Sequence, residues 1–417
     1  MELRRVVITG LGALTPIGNS CDEYWKNLLL GVSGACPITH FDATLFKTQF
    51  ACEVKNLDIL KYVDIKESRK MDLFAQFAIA SADEALKDSG IDLSKVDVER
   101  GGVIWGTGIG GFTTCAEEMS AFSLGDGMPR FSPFFIPKII GDIAAGHLSI
   151  RYGLKGPNYV TTSACASSAN ALADAFDFIR LGKVDFVISG GSEAPINTAG
   201  VGGFNSMQAI STRNDDPKTA SRPFDRDRNG FVIGEGSGAL ILEELEHAKK
   251  RGAKIYAEIV GCGLSSDAYH LVAPHPEGKG ALLAMKNALK EANLPIESVD
   301  HINTHGTSTP LGDIAEVKAI QSLFGNHAYS ININAIKSMI GHLLGAAAAV
   351  ESVATVLTIY HDVVPPTINH FEDDENIDNK LNFTFNKPQE RIVNVAVSNA
   401  FGFGGHNTSI IFKKFKE

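Results

Sequence analysis

Cys165 stands in TTSACASSANALADAF, where a short apolar strand gives way to small residues and then to helical spacing. A sulfur at a helix N-terminus meets unpaired N–H groups and the positive end of the helix dipole, which favour the thiolate and lower its pKa. The same N–H groups can hold the oxyanion formed when such a sulfur attacks a thioester. Cysteine is also often buried only to fill space, so position alone leaves both readings open. Two histidines shift the balance. His305 closes an apolar strand in THGTSTP, and His342 opens a second small-residue helix in KSMIGHLLGA, five residues after Lys337. Each sits on a turn rich in Gly and Ser or Thr, as does FGFGGHN (401–407), whose plainer reading is a turn with two buried phenylalanines. A thiol with facing imidazoles points to covalent acyl transfer.

The elements around these residues alternate strand and helix. VVITGLG (6–12) reads as an opening strand, the run 72–88 as a helix ended by Gly90, and GGVIWGTG (101–108) as a buried strand with a glycine-rich exit. Residues 159–193 read as a strand, a turn of small residues, a helix from 166 to 181 stopped by Gly182, and a strand at 184–190. A block of the same shape recurs at 330–360 without visible sequence identity. Alanine- and glycine-rich helices allow close backbone approach, so both are expected at the centre. A soft boundary divides the chain into halves at 1–253 and 254–417.

Other motifs carry less. GTGIGG (106–111) fits the dinucleotide pattern, but no second strand with an acidic end follows. His301 and His305 have zinc-like spacing, but the segment has strand rather than helix character. There is no P-loop and no nucleophile elbow of the serine hydrolases. A net charge of −10 argues against nucleic acid as a partner. With 44% apolar and 21% charged residues among 417, the composition is that of an α/β enzyme. No export signal, uninterrupted membrane-length apolar run or paired cysteine motif is seen, so a cytoplasmic location without membrane contact is expected.

Taken together and in order, TTSACASS, NTHGTSTPLGD, KSMIGHLLGA and SNAFGFGGHN resemble the motifs of the β-ketoacyl-acyl carrier protein synthases, most closely the type II condensing enzymes of dissociated fatty acid synthesis. The likeness runs over essentially the whole chain. It implies a thiolase-like α/β fold, with two similar halves in a five-layer α-β-α-β-α sandwich, working as a homodimer. It implies an acyltransferase that holds an acyl chain on Cys165 and condenses it with malonyl-acyl carrier protein. His305 and His342 match the pair that supports decarboxylation, and Lys337 an orienting or electrostatic residue. Phe403 matches a gate and a backbone oxyanion donor beside that of Cys165, with Phe401 next to it. Thr307 and Thr309 match residues that bind the pantetheine arm, and Ile109 the acyl-pocket wall of the type II enzymes. Lys66, Arg69, Lys70 and Arg130 match a basic docking patch for the acidic acyl carrier protein; read without the family, the first three are a solvated helix end. The resemblance implies no cofactor beyond carrier-bound phosphopantetheine and no catalytic metal, and it admits a structural monovalent cation near Glu351, Ser398 and Asn399.

The chain departs from the family at several positions. Ile336, Ile340 and Ala348 stand where Thr, Thr and Gly are common, which bears on packing around Lys337, and Gln208 replaces a basic residue of the docking patch. Three other readings stay open. A specialised polyketide-type ketosynthase would share every catalytic residue. A non-catalytic chain-length-factor partner would lack Cys165, and a thiolase would carry a second cysteine towards the C-terminus, where none follows Cys262.

Overall fold

Strands rich in Val, Ile and Gly form the centre of the computed structural model, which describes residues 3–416. In chain order they are β1 (Val6–Leu14), β2 (Gly101–Gly106), β3 (Asn158–Thr161), β4 (Phe186–Glu193), β5 (Gly236–Glu244), β6 (Ala257–Ser266), β7 (His301–Asn303), β8 (Asn332–Asn334), β9 (Val395–Gly402) and β10 (His406–Lys413). They pair in the order β8-β7-β9-β10-β6-β1-β5-β4-β2-β3. Read outward from the β1–β6 seam, one half runs 1-5-4-2-3 and the other 6-10-9-7-8. The directions match as well: the first two pairings of each half are antiparallel and the last two parallel. The seam is short and antiparallel, Val6 to Ile8 against Ala257 to Ile259.

The helices that cover these half-sheets are α1 (Leu73–Ser89), α2 (Phe112–Leu124), α3 (Ile143–Tyr152), α4 (Ser167–Arg180), α5 (Lys279–Ala292), α6 (Pro310–Phe324) and α7 (Ala347–His361). Helix α1, capped by Asp72 and ended by Gly90 in the left-handed region, packs with α3 on the outer face of the first half. Helix α5 covers the outer face of the second half, with α6 against it. The alanine-rich helices α4 and α7 lie between the halves, and α7 touches β5 on one side and β9 on the other. The layers are therefore α-β-α-β-α. The segment Leu344–His361 is long and apolar enough to cross a membrane by length and composition, but 89% of it is buried as this central helix.

Two expected boundaries differ. The strand expected over 101–108 ends at Gly106, because residues 107–110 turn back onto a side chain of β4. His342 does not open the second alanine-rich helix. A single turn, Lys337–Ile340, ends at Gly341 with φ +71, and α7 begins only at Ala347, leaving His342 in the bend between them.

Close approach of helix to strand is what the small residues provide. A Cβ on Gly106 would lie 2.4 Å from the backbone N of Ser168, in the first turn of α4. Gly106→Ala should therefore lower stability by about 1–3 kcal/mol and displace the start of α4. Thermal unfolding and the alkylation rate of Cys165 measure the two effects.

Candidate active site

Cys165 follows a sharp elbow between β3 and α4. Ala164 takes φ +50, a left-handed conformation that costs a non-glycine residue about 1–3 kcal/mol and persists only when its surroundings enforce it. The enforcement is visible. Ser167 Oγ accepts the Ser163 N–H at 2.9 Å and donates to the Ala164 carbonyl at 2.6 Å. Asn170 donates to Ser163 Oγ at 2.8 Å and accepts from Thr408 of β10 at 2.6 Å, so the elbow is tied to the other half of the molecule.

The second half supplies the imidazoles. His305 lies just beyond β7, where Glu316 of α6 accepts the N–H groups of His305 and Gly306, each at 2.9 Å. Asn399 donates to the same carboxylate at 3.1 Å, and burial pushes Glu316 up to about 7. His342 is fixed through its backbone, which donates to Val232 at 2.7 Å and accepts from Gly234 at 2.9 Å. Its ring meets Phe231 edge-on at 5.3 Å and that of His305 at 5.3 Å and 86°. One nitrogen from each ring and the Cys165 sulfur all lie within 4.8 Å of one another. A Cys-His-His trio is also a zinc ligand set. Here, however, the buried Nδ1 of each ring lacks the carboxylate or carbonyl partner that orients metal-binding imidazoles.

Desolvation dominates the electrostatics. Burial, then the positive charge of Lys337, hold both imidazoles well below the usual 6.5, so each is a neutral ring. The Cys165 thiol behaves contrary to the expectation of a lowered pKa. Burial pushes it up to about 11, against the pull of Lys337 and of the backbone N–H groups of Phe403 and Cys165 itself. The helix terminus is present, but the sulfur is too dry for it to prevail. Lys337 is itself buried, with Nζ 2.5 Å from Glu351. Ile336, Ile340 and Ala348 join the hydrophobic core and do not line the cavity.

A cavity of about 570 Å³ opens onto the trio. Thr307 and Thr309 line it with their hydroxyls 2.9 Å apart, Phe401 and Phe403 flank the sulfur side, and Ile109 and Gln208 lie on its walls. The basic residues reach solvent to different extents. Lys66 and Arg69 are exposed, whereas Lys70 pairs with Glu67 at 2.6 Å and Arg130 with Asp126 at 2.9 Å. Asn399 directs its side chain to Glu316 and Ser409, away from Glu351. Glu351 Oε2 and Asn303 Oδ1 are both buried without a partner, and Asn303 donates to Ser398 at 3.4 Å.

Sequence reasoning passed over Glu193, Phe231 and Glu316. The two carboxylates carried a signal: Glu193 ends the apolar strand FVISGGSE, and Glu316 falls among buried residues of α6, both places where an acid needs a partner.

Comparison with known proteins agrees with this geometry. Residues 3–248 match the β-ketoacyl synthase N-terminal domain and residues 256–371 the C-terminal domain. The chain is 48% identical over 416 residues to a 3-oxoacyl-[acyl-carrier-protein] synthase 2 of Synechocystis, covering 100% of this chain and 99% of the relative. A protein of the same name from Coxiella burnetii is 47% identical over 414 residues, covering 99% of each. Among solved structures, a type II polyketide synthase ketosynthase in complex with its acyl-carrier protein superposes with a TM-score of 0.91 at 33% identity, covering 99% of this chain and 100% of that one.

The raised thiol gives a direct test. Alkylation of Cys165 should keep rising through pH 9 towards about 11, rather than levelling near neutrality as a dipole-stabilised thiolate would. Mass spectrometry of the Cys165 peptide against pH measures it.

Proposed function

The chain belongs to the β-ketoacyl synthase family, and from that premise we propose that it elongates fatty acyl chains by decarboxylative condensation with malonyl-acyl carrier protein. The observation that carries this reading is one thiol facing two neutral imidazoles at the end of a large cavity. No cofactor is needed, since the thioester supplies the activation.

In the first half-reaction, the Cys165 sulfur attacks the acyl thioester carbonyl. Its proton is handed on to the departing pantetheine sulfur, which leaves as the thiol, so the exchange balances without a charge on either imidazole. The N–H groups of Cys165 and Phe403, now directed at Sγ, hold the tetrahedral oxyanion. Thiolate serves both as nucleophile and as later leaving group, which an alkoxide would not. In the second half-reaction, His305 and His342 donate N–H groups to the malonyl thioester oxygen as the C–C bond to the carboxylate breaks and CO₂ leaves. The enolate carbon attacks the acyl carbon, the same backbone N–H pair takes the charge, and Cys165 departs as thiolate and recovers a proton. The role of Lys337 is electrostatic: burial keeps both rings neutral and its charge adds to that, because an imidazolium would be one more cation beside it. Below the depressed pKa values the rings gain protons, so the acid limb of condensation should lie below pH 6.5.

The partner is an acidic acyl carrier protein, with Lys66 and Arg69 as its docking contacts and Thr307 and Thr309 binding its pantetheine. Two chains form the working unit. Support comes from the exposed apolar side chains Met119, Phe122, Leu124, Phe131, Phe134 and Ile136 in and after α2, and from β3, a strand paired on one side only. The reading includes a structural monovalent cation near Glu351, Ser398 and Asn399, supported by the buried Glu351 Oε2. Six unpaired cysteines support a reducing cytoplasm. Cys165 speaks against a chain-length-factor role, and the naming of the curated relatives speaks against a polyketide one.

Two outcomes test the reading. His305→Ala and His342→Ala should each leave acylation of Cys165 largely intact while lowering malonyl decarboxylation ~10²-fold or more, by mass of the acyl-enzyme against CO₂ release. Sedimentation should give a two-chain species, converted to single chains by Leu124→Glu with Phe131→Glu.

A further inference from the structure

The glycine-rich turn after β2 presents backbone N–H groups as a nest, an arrangement that ordinarily receives an anion. Its anion is internal. Glu193, the last residue of β4 and 1% exposed, accepts the Gly108 N–H at 2.6 Å and the Ile109 N–H at 3.1 Å, and also the Thr107 hydroxyl at 3.0 Å. The fourth donor comes from the other half of the molecule: the Gly345 N–H, at 3.0 Å on the oxygen that also holds Gly108. A Cβ on Gly108 or Gly345 would lie 2.9 or 2.6 Å from that oxygen, so neither position admits a side chain without movement. Ile109, 39% exposed, and Leu344, at φ +47, both line the cavity, whereas Glu193 stands behind its wall.

We propose that Glu193 is a positioning residue for the condensation: its one carboxylate sets both the acyl-pocket wall at Ile109 and the turn that carries His342. The proposal rests on the condensing-enzyme reading above. Gly345 is three residues beyond His342, and no other carboxylate touches either turn among the described residues. Glu193 therefore links the place where the acyl chain lies to the imidazole that acts in the next step. Its negative charge also reaches the sulfur and raises the Cys165 thiol, secondary to burial.

The test compares Glu193→Gln with Glu193→Asp in the full-length protein. Glutamine keeps the volume but offers one acceptor oxygen to four donors and removes the charge. Misplacement of a catalytic group by about 1 Å costs on the order of 10²-fold. Glu193→Gln should accordingly lose ~10²-fold in malonyl decarboxylation. It should also change the dependence of Cys165 acylation on chain length, and move Cys165 alkylation to lower pH. Glu193→Asp keeps the charge with a shorter reach. It should reproduce the first two effects and leave the alkylation profile in place, so it carries the test if the glutamine variant does not fold. Wild-type decarboxylation and chain-length profiles in a folded variant would overturn the proposal, as would equal losses in both half-reactions that track a lower thermal midpoint. A wild-type protein that condenses no carrier-bound substrate would instead sink the functional reading, and the alkylation comparison would still report on Glu193.

Discussion

Lys337 and Glu351 face each other between the two half-sheets, both almost completely removed from solvent. Burying two charges costs several kcal/mol per ion unless their attraction and further hydrogen bonds offset it. Replacing such a pair with apolar side chains is often neutral for stability, so stability alone does not account for this one. The field of the lysine does. It acts on both imidazoles and on the sulfur at once, adding to the burial that keeps the rings neutral and offsetting part of the burial that raises the thiol. Ile336 and Ile340 on either side of it make that space more apolar and cost nothing in this respect, because neither faces the reacting atoms.

The repeated topology explains how such a space arises. Each half-sheet contributes one turn after its outermost strand: the elbow between β3 and α4 carries the sulfur, and the bend between β8 and α7 carries His342. Neither half contains a complete site. The contacts that close it cross between halves, as Thr408 does to Asn170 and Gly345 to Glu193. The site is thus a property of how the halves meet, and the small residues of the central helices permit that meeting at backbone distance.

Much of this could be read from the residues. The strand–turn–helix blocks and the central placement of the alanine-rich helices followed from small-residue runs and glycine-marked turns, which also singled out Cys165, His305 and His342, whereas the roles of these three were implied by the family resemblance. What escaped was of one physical kind. The helix-terminus argument for Cys165 considers only local dipoles, and burial, which depends on the whole fold, outweighed it. Gly341 breaks the helix before His342 because of a left-handed φ that an apolar run does not announce. The local ion pairs that Lys70 and Arg130 make with Glu67 and Asp126 also went unremarked. Glu193 gave only the hint of an acid at the end of an apolar strand, since its four donors come from segments remote from it in the chain.

The seam beside β1 has a bearing on biosynthesis. VVITGLGAL is synthesised before every other strand of the sheet, yet both of its neighbours, β5 and β6, lie within residues 236–266. At ~5–20 residues per second that is a delay of roughly 10–50 s. Through that interval a strand that is apolar but for Thr9 has no native edge to join. Nascent chains of this protein thus depend on holding that segment out of reach of other strands, and a chaperone that recognises short apolar β-formers would meet it well before its sheet partners are made.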